Sequence, residues 1–379
     1  VYDSPFESDR VRCFFCIFSS TSHINMSIDT RPGIYDHKFP FFARPETISE
    51  YAVTNKREVI LGRSRAKYLC PYEENGKTNY DLNEGRDVFI EKDVSNEKLD
   101  VLLRWACSQS EEGKSRPKKI FHEADLVCWR GSLTRIGATP YSDRESWRFI
   151  ALRVDDVIYL CEFPTDENLA KKAAMTDRDR MMTYWGFKFE QYMTSDELGG
   201  ERDTSSPVDC REEFAVICKT RIEVPGGKGR CIRLLYGAEV DAIDSNGNLV
   251  EMKTQRKALE GGFWKFKSIK WWLQNFLIGV ERITVGYRDD EGIVERVGTV
   301  GLGELSQRSP WKGNVCFNFI ATVLSMIEQR LPPGSADYGS CHVRYDPISK
   351  RVYMEEAKEE ETQFLTEEYI RHFKLTERL

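Results

Sequence analysis

Apolar residues recur along this chain with two periods, and the switches between them mark out its elements. Leu99, Leu102, Leu103 and Ala106 fall three or four apart after Ser95-Asn96, which predicts a capped helix ending near Gln109. Glu111 to Lys119 is charged and holds Pro117, so a loop is expected there. Trp147 to Glu162 is β-branched or aromatic on either side of Asp155-Asp156 and reads as a hairpin. A long helical stretch is predicted from about Thr165 to Met193, then strand from Phe214 to Ile222. Ile232 to Ile243 and Leu249 to Thr254 form a second expected hairpin. Trp264 to Gly279 reads as a helix, and a third hairpin pairs Ile283 to Tyr287 with Ile293 to Val300 around Asp290-Glu291-Gly292. Another helix is predicted from about Val315 to Leu331, followed by strand-like pieces, a solvated run at Glu355 to Glu361 and a C-terminal helix. Residues 27–94, rich in Pro, Gly, Asn and Tyr, predict an irregular wrap with a few short strands. Strands and helices interleave with no composition break and no repeat. The expectation is an α/β (α+β) fold: one large domain, residues 27–379, with a central mixed β-sheet flanked by helices. Val1 is the first residue and Met26 the earliest methionine, so residues 1–26 read as an atypical, poorly ordered leader without a cleavage pattern.

Composition removes several classes of protein. At 40% hydrophobic and 31% charged, the chain can bury a core, and no apolar run approaches the ~18 residues of a membrane span. A net charge of −6 argues against indiscriminate coating of nucleic acid and leaves a local basic groove open. Eleven cysteines, odd in number and irregularly spaced, point to a reducing compartment. Cys13-x-x-Cys16 has no second pair, and five histidines without paired spacing leave a zinc hydrolase no ligands. The expected protein is a soluble intracellular monomer. Lys114 to Lys119 reads equally as a solvated loop or an import signal, and the nucleus is preferred to the cytoplasm.

The chemistry concentrates between Gly237 and Thr254. Residues two apart on a strand share a face, so Glu239 joins Asp241, and Glu251 joins Lys253. A two-residue loop at Asn246-Gly247 would set Asp241 opposite Met252. A three-residue loop, Ser245 to Gly247 with Gly247 left-handed, instead pairs Asp244 with Asn248, Asp241 with Glu251 and Glu239 with Lys253. It also matches Val240 with Met252 and Ala242 with Val250, apolar against apolar, and is therefore the expected register. Carboxylates ~4 Å apart repel by about 4 kcal/mol at an effective dielectric near 20, so such a cluster calls for a cation. Oxygen ligands of this kind suit Mg²⁺ or Mn²⁺. A salt-bridged, solvated strand face is the plainer alternative for any one of these pairs, but not for their combination at one parity. Between Met252 and Leu273, six cations stand against Glu260 alone, interleaved with Phe263, Trp264, Phe266, Trp271 and Trp272. Such mixtures suit phosphates and unstacked bases. Lys267, Lys270, Trp271 and Gln274 fall on one side of the predicted helix, with at least one of Trp271 and Trp272 pointing inward.

Gly237-x-Glu239-Val-Asp241, Glu251-Met-Lys253-Thr254 and Lys270-Trp-Trp-Leu-Gln274-x-Phe276 together resemble the DXO-type decapping exoribonucleases, relatives of the PD-(D/E)xK nucleases. Cys128-Trp129-Arg130-Gly131-x-Leu133-Thr134, Gly186-Phe-Lys-Phe-Glu190-Gln-Tyr-Met193 and Glu97-x-Leu99-Asp100-x-Leu102-Leu103-Arg104-Trp105 extend the likeness, from about Phe39 to beyond Phe317. The resemblance implies a PD-(D/E)xK-like core and a metal-dependent hydrolase of RNA 5′ ends. Such an enzyme removes incomplete or NAD-type caps and 5′ pyrophosphate, and can degrade the RNA body 5′-to-3′. It implies that Glu190, Glu239, Asp241 and Glu251, with the Met252 carbonyl, hold two divalent ions, while Lys253 and Gln274 contact the scissile phosphate or attacking water. Arg57, Glu97 and Trp129-Arg130-Gly131 then line the substrate site. Arg44-Pro-Glu-Thr-Ile-Ser49 lacks a glycine expected by that pattern, and Ala215 stands where a substrate-contacting cysteine is expected. A scaffold that docks on a nuclear 5′-to-3′ exoribonuclease is the competing reading. A DNA nuclease of the same broad fold fits the hairpin but not the other blocks.

Overall fold

The chain divides its strands between two mixed sheets, seen in a computed structural model that describes residues 26–93, 97–334 and 338–375. The expected leader before Met26, with Cys13 and Cys16, lies outside the described residues. The N-terminal third supplies β1 (Met26–Asp29), β2 (Glu46–Val53), β3 (Val59–Leu61), β4 (Tyr68–Leu69), β5 (Lys77–Asp81) and β6 (Leu126–Trp129). Next come β7 (Trp147–Val154), β8 (Val157–Phe163), β9 (Thr194–Ser195), β10 (Glu213–Glu223), β11 (Cys231–Glu239), β12 (Ala242–Ile243) and β13 (Leu249–Arg256). The last third adds β14 (Arg282–Arg288), β15 (Ile293–Gly301), β16 (Tyr338–Asp346) and β17 (Arg351–Glu355). Ten strands run in the order β1-β17-β16-β7-β8-β6-β11-β10-β2-β3, and seven in the order β5-β15-β14-β13-β12-β4-β9.

The helices cover these sheets. They are α1 (Asp100–Ser108), α2 (Pro117–Ile120), α3 (Arg130–Ala138), α4 (Asp166–Ala173), α5 (Asp177–Met193), α6 (Ser268–Phe276), α7 (Leu302–Arg308), α8 (Gly313–Arg330) and α9 (Glu367–His372). Apolar residues of α3, α6 and α8 share one core with the ten-stranded sheet, and α1 and α9 pack with residues of its other face. The buried stripe of α5, from Tyr184 to Met193, packs with Val250, Met252, Val294 and Val297 of the smaller sheet.

Local chemistry explains most boundaries. The β7–β8 hairpin turns on Asp155 and Asp156, both left-handed at φ 51° and 62°, as a two-residue turn requires. The helix expected from Thr165 to Met193 is two helices. Thr165 and Asn168 make a reciprocal cap for α4, and Thr176 and Asp179 make a second one that restarts the chain as α5. The loop expected at Glu111 to Lys119 gives way at Pro117 to the short α2, because proline is at home in a helix's first turn. Ser95-Asn96, expected to cap α1, lie outside the described residues; Leu99 stands at the cap position, and the Lys98 N–H donates to Asp100 Oδ2 at 2.7 Å. The helix expected from Trp264 begins as a π-helical turn, Phe263–Lys267, and continues as α6.

Candidate active site

The three-residue turn is present. Gly247 is left-handed at φ 84°, the Asp244 N–H donates to the Asn248 carbonyl at 2.9 Å, and Ala242 and Ile243 pair with Val250 and Leu249. Beyond Ala242 the expected hairpin stops. Glu239 belongs to β11 and pairs with Ala215 in the ten-stranded sheet, whereas Glu251 and Lys253 pair with Ile283 and Val285 in the smaller one. The expected pairs Asp241 with Glu251, Glu239 with Lys253 and Val240 with Met252 are therefore not made. The chain crosses between sheets at Val240-Asp241, where the Val240 N–H still donates to Phe214 in the first sheet. The Asp241 carboxylate takes over as acceptor for the Met252 N–H at 2.6 Å, so a side chain replaces the missing ladder bond and keeps Asp241 beside Glu251.

Lys253 is the hub of this crossing. Its Nζ donates to Glu251 Oε1 and lies 4.0 Å from Asp241 Oδ2. Arg130, at the start of α3, donates from Nη1 to the Gln274 carbonyl at 3.1 Å and stands 3.6 Å from Glu251 Oε2. That Oε2 atom is buried without a hydrogen-bond partner, on a side chain only 3% exposed. Glu190 comes from α5, whose following turn is tied back by the Thr194 hydroxyl to the Glu190 carbonyl at 2.8 Å.

The electrostatics follow from burial and like charge. Burial, then Asp241, lifts the Glu190 carboxyl well above the usual range; burial, then Glu213, lifts Glu239. Asp241 is pushed up to about 7 by burial and then by Glu251. Burial acts to raise Glu251 too, but Lys253 and Arg130 prevail and hold it low. Lys253 stays protonated, because Glu251 and Asp241 more than offset its desolvation. Among the described residues no three acidic, histidine or cysteine side chains stand close enough together to hold one ion. The Lys253 ammonium serves as counter-charge to Glu251 and Asp241, and Lys92 to Glu239. The donor set nonetheless fits a hard divalent cation: carboxylate oxygens in a cleft, one of them buried without a hydrogen bond.

Two cavities, of about 760 and 780 Å³, meet at Glu213 and Glu239. Glu190 and Asp241 line the first; Glu97, Trp129 and Ala215 line the second. Arg57 grips Glu97 with two bonds of 2.7 Å and reaches Glu213 Oε1 at 2.5 Å. The Trp129 indole donates to the Lys98 carbonyl at 2.8 Å, and its ring occupies the space a Cβ on Gly237 would need, 2.4 Å away. Gly131 lies in the first turn of α3, with open space where a side chain would be. Lys92 and Glu213 escaped the sequence reading. Glu213 shares strand parity with Ala215, a faint signal, and nothing local marks Lys92. Trp271 and Trp272 are both buried, Lys267 donates to Gln255 and Lys270 to Glu145. The tryptophans are therefore core residues, Trp271 edge-on to Phe263 and Trp272 against Trp311 and Phe317, and of these two lysines Lys270 lines the second cavity.

Comparison with known proteins places the chain in a family. The model of one family, RAI1 like PD-(D/E)XK nuclease, matches residues 43–370. The decapping nuclease dom-3 of Caenorhabditis elegans is 37% identical over 349 residues, 90% of this chain and 88% of that protein. The decapping and exoribonuclease protein of Mus musculus is 31% identical over 321 residues, 80% of this chain and 79% of its own. The crystal structure of Candida albicans Rai1 in complex with pU5-Mn²⁺ superposes with a TM-score of 0.74, covering 93% of this chain and 99% of that one. At 18% identity this last likeness speaks for the fold.

Proposed function

Since the chain belongs to the RAI1-like PD-(D/E)XK nuclease family, we propose that it is a metal-dependent hydrolase of RNA 5′ ends. Its substrates are incompletely methylated caps, NAD caps and 5′ triphosphates, with 5′-to-3′ degradation of the exposed body. The observation that carries this reading is the set of acids at the crossing between the sheets: Glu251 and Asp241 at the protonated Lys253, Glu190 and Asp241 lining the first cavity, and Glu239 where the two cavities join. Two Mg²⁺ or Mn²⁺ ions, held by these carboxylates and the Met252 carbonyl, supply Lewis-acid activation of water and charge stabilisation when bound.

The chain's own groups do the rest. Lys253, kept charged by its acidic neighbours, neutralises charge growing on the attacked phosphate. Gln274 orients the phosphate or the water, and Arg130 holds Gln274's backbone while standing beside Glu251. Arg57, clamped by Glu97 and Glu213, and Trp129, braced over Gly237 with Gly131 leaving room beside it, form the wall against which the 5′ nucleotide settles. The family likeness is also the support for a nuclear site of action and for docking on a 5′-to-3′ exoribonuclease; imaging of the tagged chain and co-purification from nuclear extract test them.

The decisive experiment incubates the protein with triphosphorylated, NAD-capped and unmethylated-cap RNA in Mn²⁺. EDTA and the Glu239→Ala/Asp241→Ala double variant serve as controls. Pyrophosphate, intact cap dinucleotide and mononucleotides are expected in the Mn²⁺ arm alone. Equal release in all three arms ends the catalytic reading.

A further inference from the structure

The two cavities that meet at Glu213 and Glu239 carry very different charge. The first is lined by ten carboxylates against Arg65 and Lys67, the second by five carboxylates and five cations. A polyanion is repelled from the first and reaches the junction through the second. Lys92 lies in the second cavity's wall at that junction, its Nζ 2.7 Å from Glu213 Oε1 and 3.9 Å from Glu239 Oε2.

Glu213 does not depend on Lys92, because Arg57 Nη1 donates to the same Oε1 atom. Glu239 is held only at ion-pair distance, and a lysine's four-carbon stem lets its ammonium turn from one acceptor to another. Lys92 is partly open to the cavity, its side chain 22% exposed. The same wall holds the Tyr51 hydroxyl, buried without a hydrogen-bond partner, so a second donor there lacks an acceptor. Tyr51, Ala215 and Glu239 are direct neighbours across β2, β10 and β11, and all three line the second cavity.

Resting on the function proposed above, we propose that Lys92 is an RNA-phosphate contact at the junction. Without RNA it serves as counter-charge to Glu213 and Glu239. Once divalent ions neutralise Glu239, its ammonium turns to a phosphate of the incoming strand. The same positive charge therefore opposes divalent-ion binding and favours RNA binding, and removing it moves the two affinities in opposite directions.

The test measures Mn²⁺ affinity by calorimetry on metal-stripped protein. Affinity for a hydrolysis-resistant, 5′-phosphorylated phosphorothioate RNA is measured separately, in saturating Mn²⁺, by anisotropy across a salt series. Lys92→Gln is expected to bind Mn²⁺ severalfold more tightly and the RNA about tenfold more weakly, with a salt slope smaller by about 0.7. Lys92→Arg restores RNA affinity. Glu213→Gln moves both quantities the other way, weakening Mn²⁺ and tightening RNA, and decides the matter should Lys92→Gln fail to fold. Unchanged RNA affinity in Lys92→Gln, or both affinities falling together, overturns the inference. A wild-type protein that neither binds nor hydrolyses RNA brings down the underlying function instead.

Discussion

Lys253 shows how much one side chain holds at this site. It is the hydrogen-bond partner of a buried glutamate and the counter-charge for a nearby aspartate. Lys253→Met leaves Glu251 with Arg130 alone, 3.6 Å from an oxygen that already lacks a hydrogen bond. We expect a loss of about 2–4 kcal/mol in urea unfolding, together with loss of hydrolysis. Unaltered stability would mean that the pair contributes nothing net. Gly237→Ala probes the neighbouring wall: its new Cβ would sit 2.4 Å from the Trp129 ring. Displacing the ring costs about 1–3 kcal/mol and raises KM for capped RNA more than it lowers kcat. An unchanged KM in a folded variant would remove Trp129 from the substrate wall. At this scale the spacing of Glu239, Asp241, Glu251 and Lys253 was readable, since strand parity is a local rule. Arg130 and Glu190 stood out only by family resemblance, because a lone arginine or glutamate carries no spacing signal.

Elements were legible where their ends are written in the chain. The left-handed Asp155-Asp156 turn and the three-residue turn before Asn248 depend on residues within reach of one another, and both formed as expected. The break between α4 and α5 was equally local, but the helical rhythm on either side of it masked the Thr176–Asp179 cap. Thr176→Ala should cost about 1 kcal/mol and speed amide exchange in the first turn of α5. Hydrolysis should be unchanged, because Glu190 lies near the other end of that helix. A drop in activity matching the drop in stability would show that the α4–α5 joint reaches the site. At least one of Trp271 and Trp272 was expected inside and both are buried, because how much of α6 is covered depends on residues such as Phe317 of α8, some forty residues later.

For the whole molecule, the acidic cleft makes stability depend on pH and metal together. Burial and mutual repulsion raise Glu190, Glu239 and Asp241 above their unfolded values, so the folded state binds protons more tightly than the unfolded one. The stabilisation this gives is full below the ordinary carboxylate range, and the share of Asp241 is lost as pH rises through about 7. In EDTA, Asp241→Asn should therefore flatten the fall in Tm that the wild type shows across that window. Mn²⁺ should raise the wild-type Tm more at pH about 8 than at about 5.5, because the ion needs the deprotonated site. An equal shift at both pH values would mean that the ion binds elsewhere. No helix among the described residues is long and apolar enough to cross a membrane, as the hydropathy of the chain led one to expect.

By itself the sequence determined the hairpin turns, the principal helices, the turn register around Gly247 and, through six motif blocks, the family. These follow from contacts between residues near in the chain or from patterns kept in order along it. Only the tertiary structure decided that Glu239 and Glu251 belong to different sheets, and that Arg57, Lys92 and Glu213 gather at the boundary of two cavities. The reason is physical: Glu213 lies over a hundred residues from Lys92, and their meeting depends on the loop around Ile90 being laid beside Asp209 and Cys210, which no local periodicity encodes.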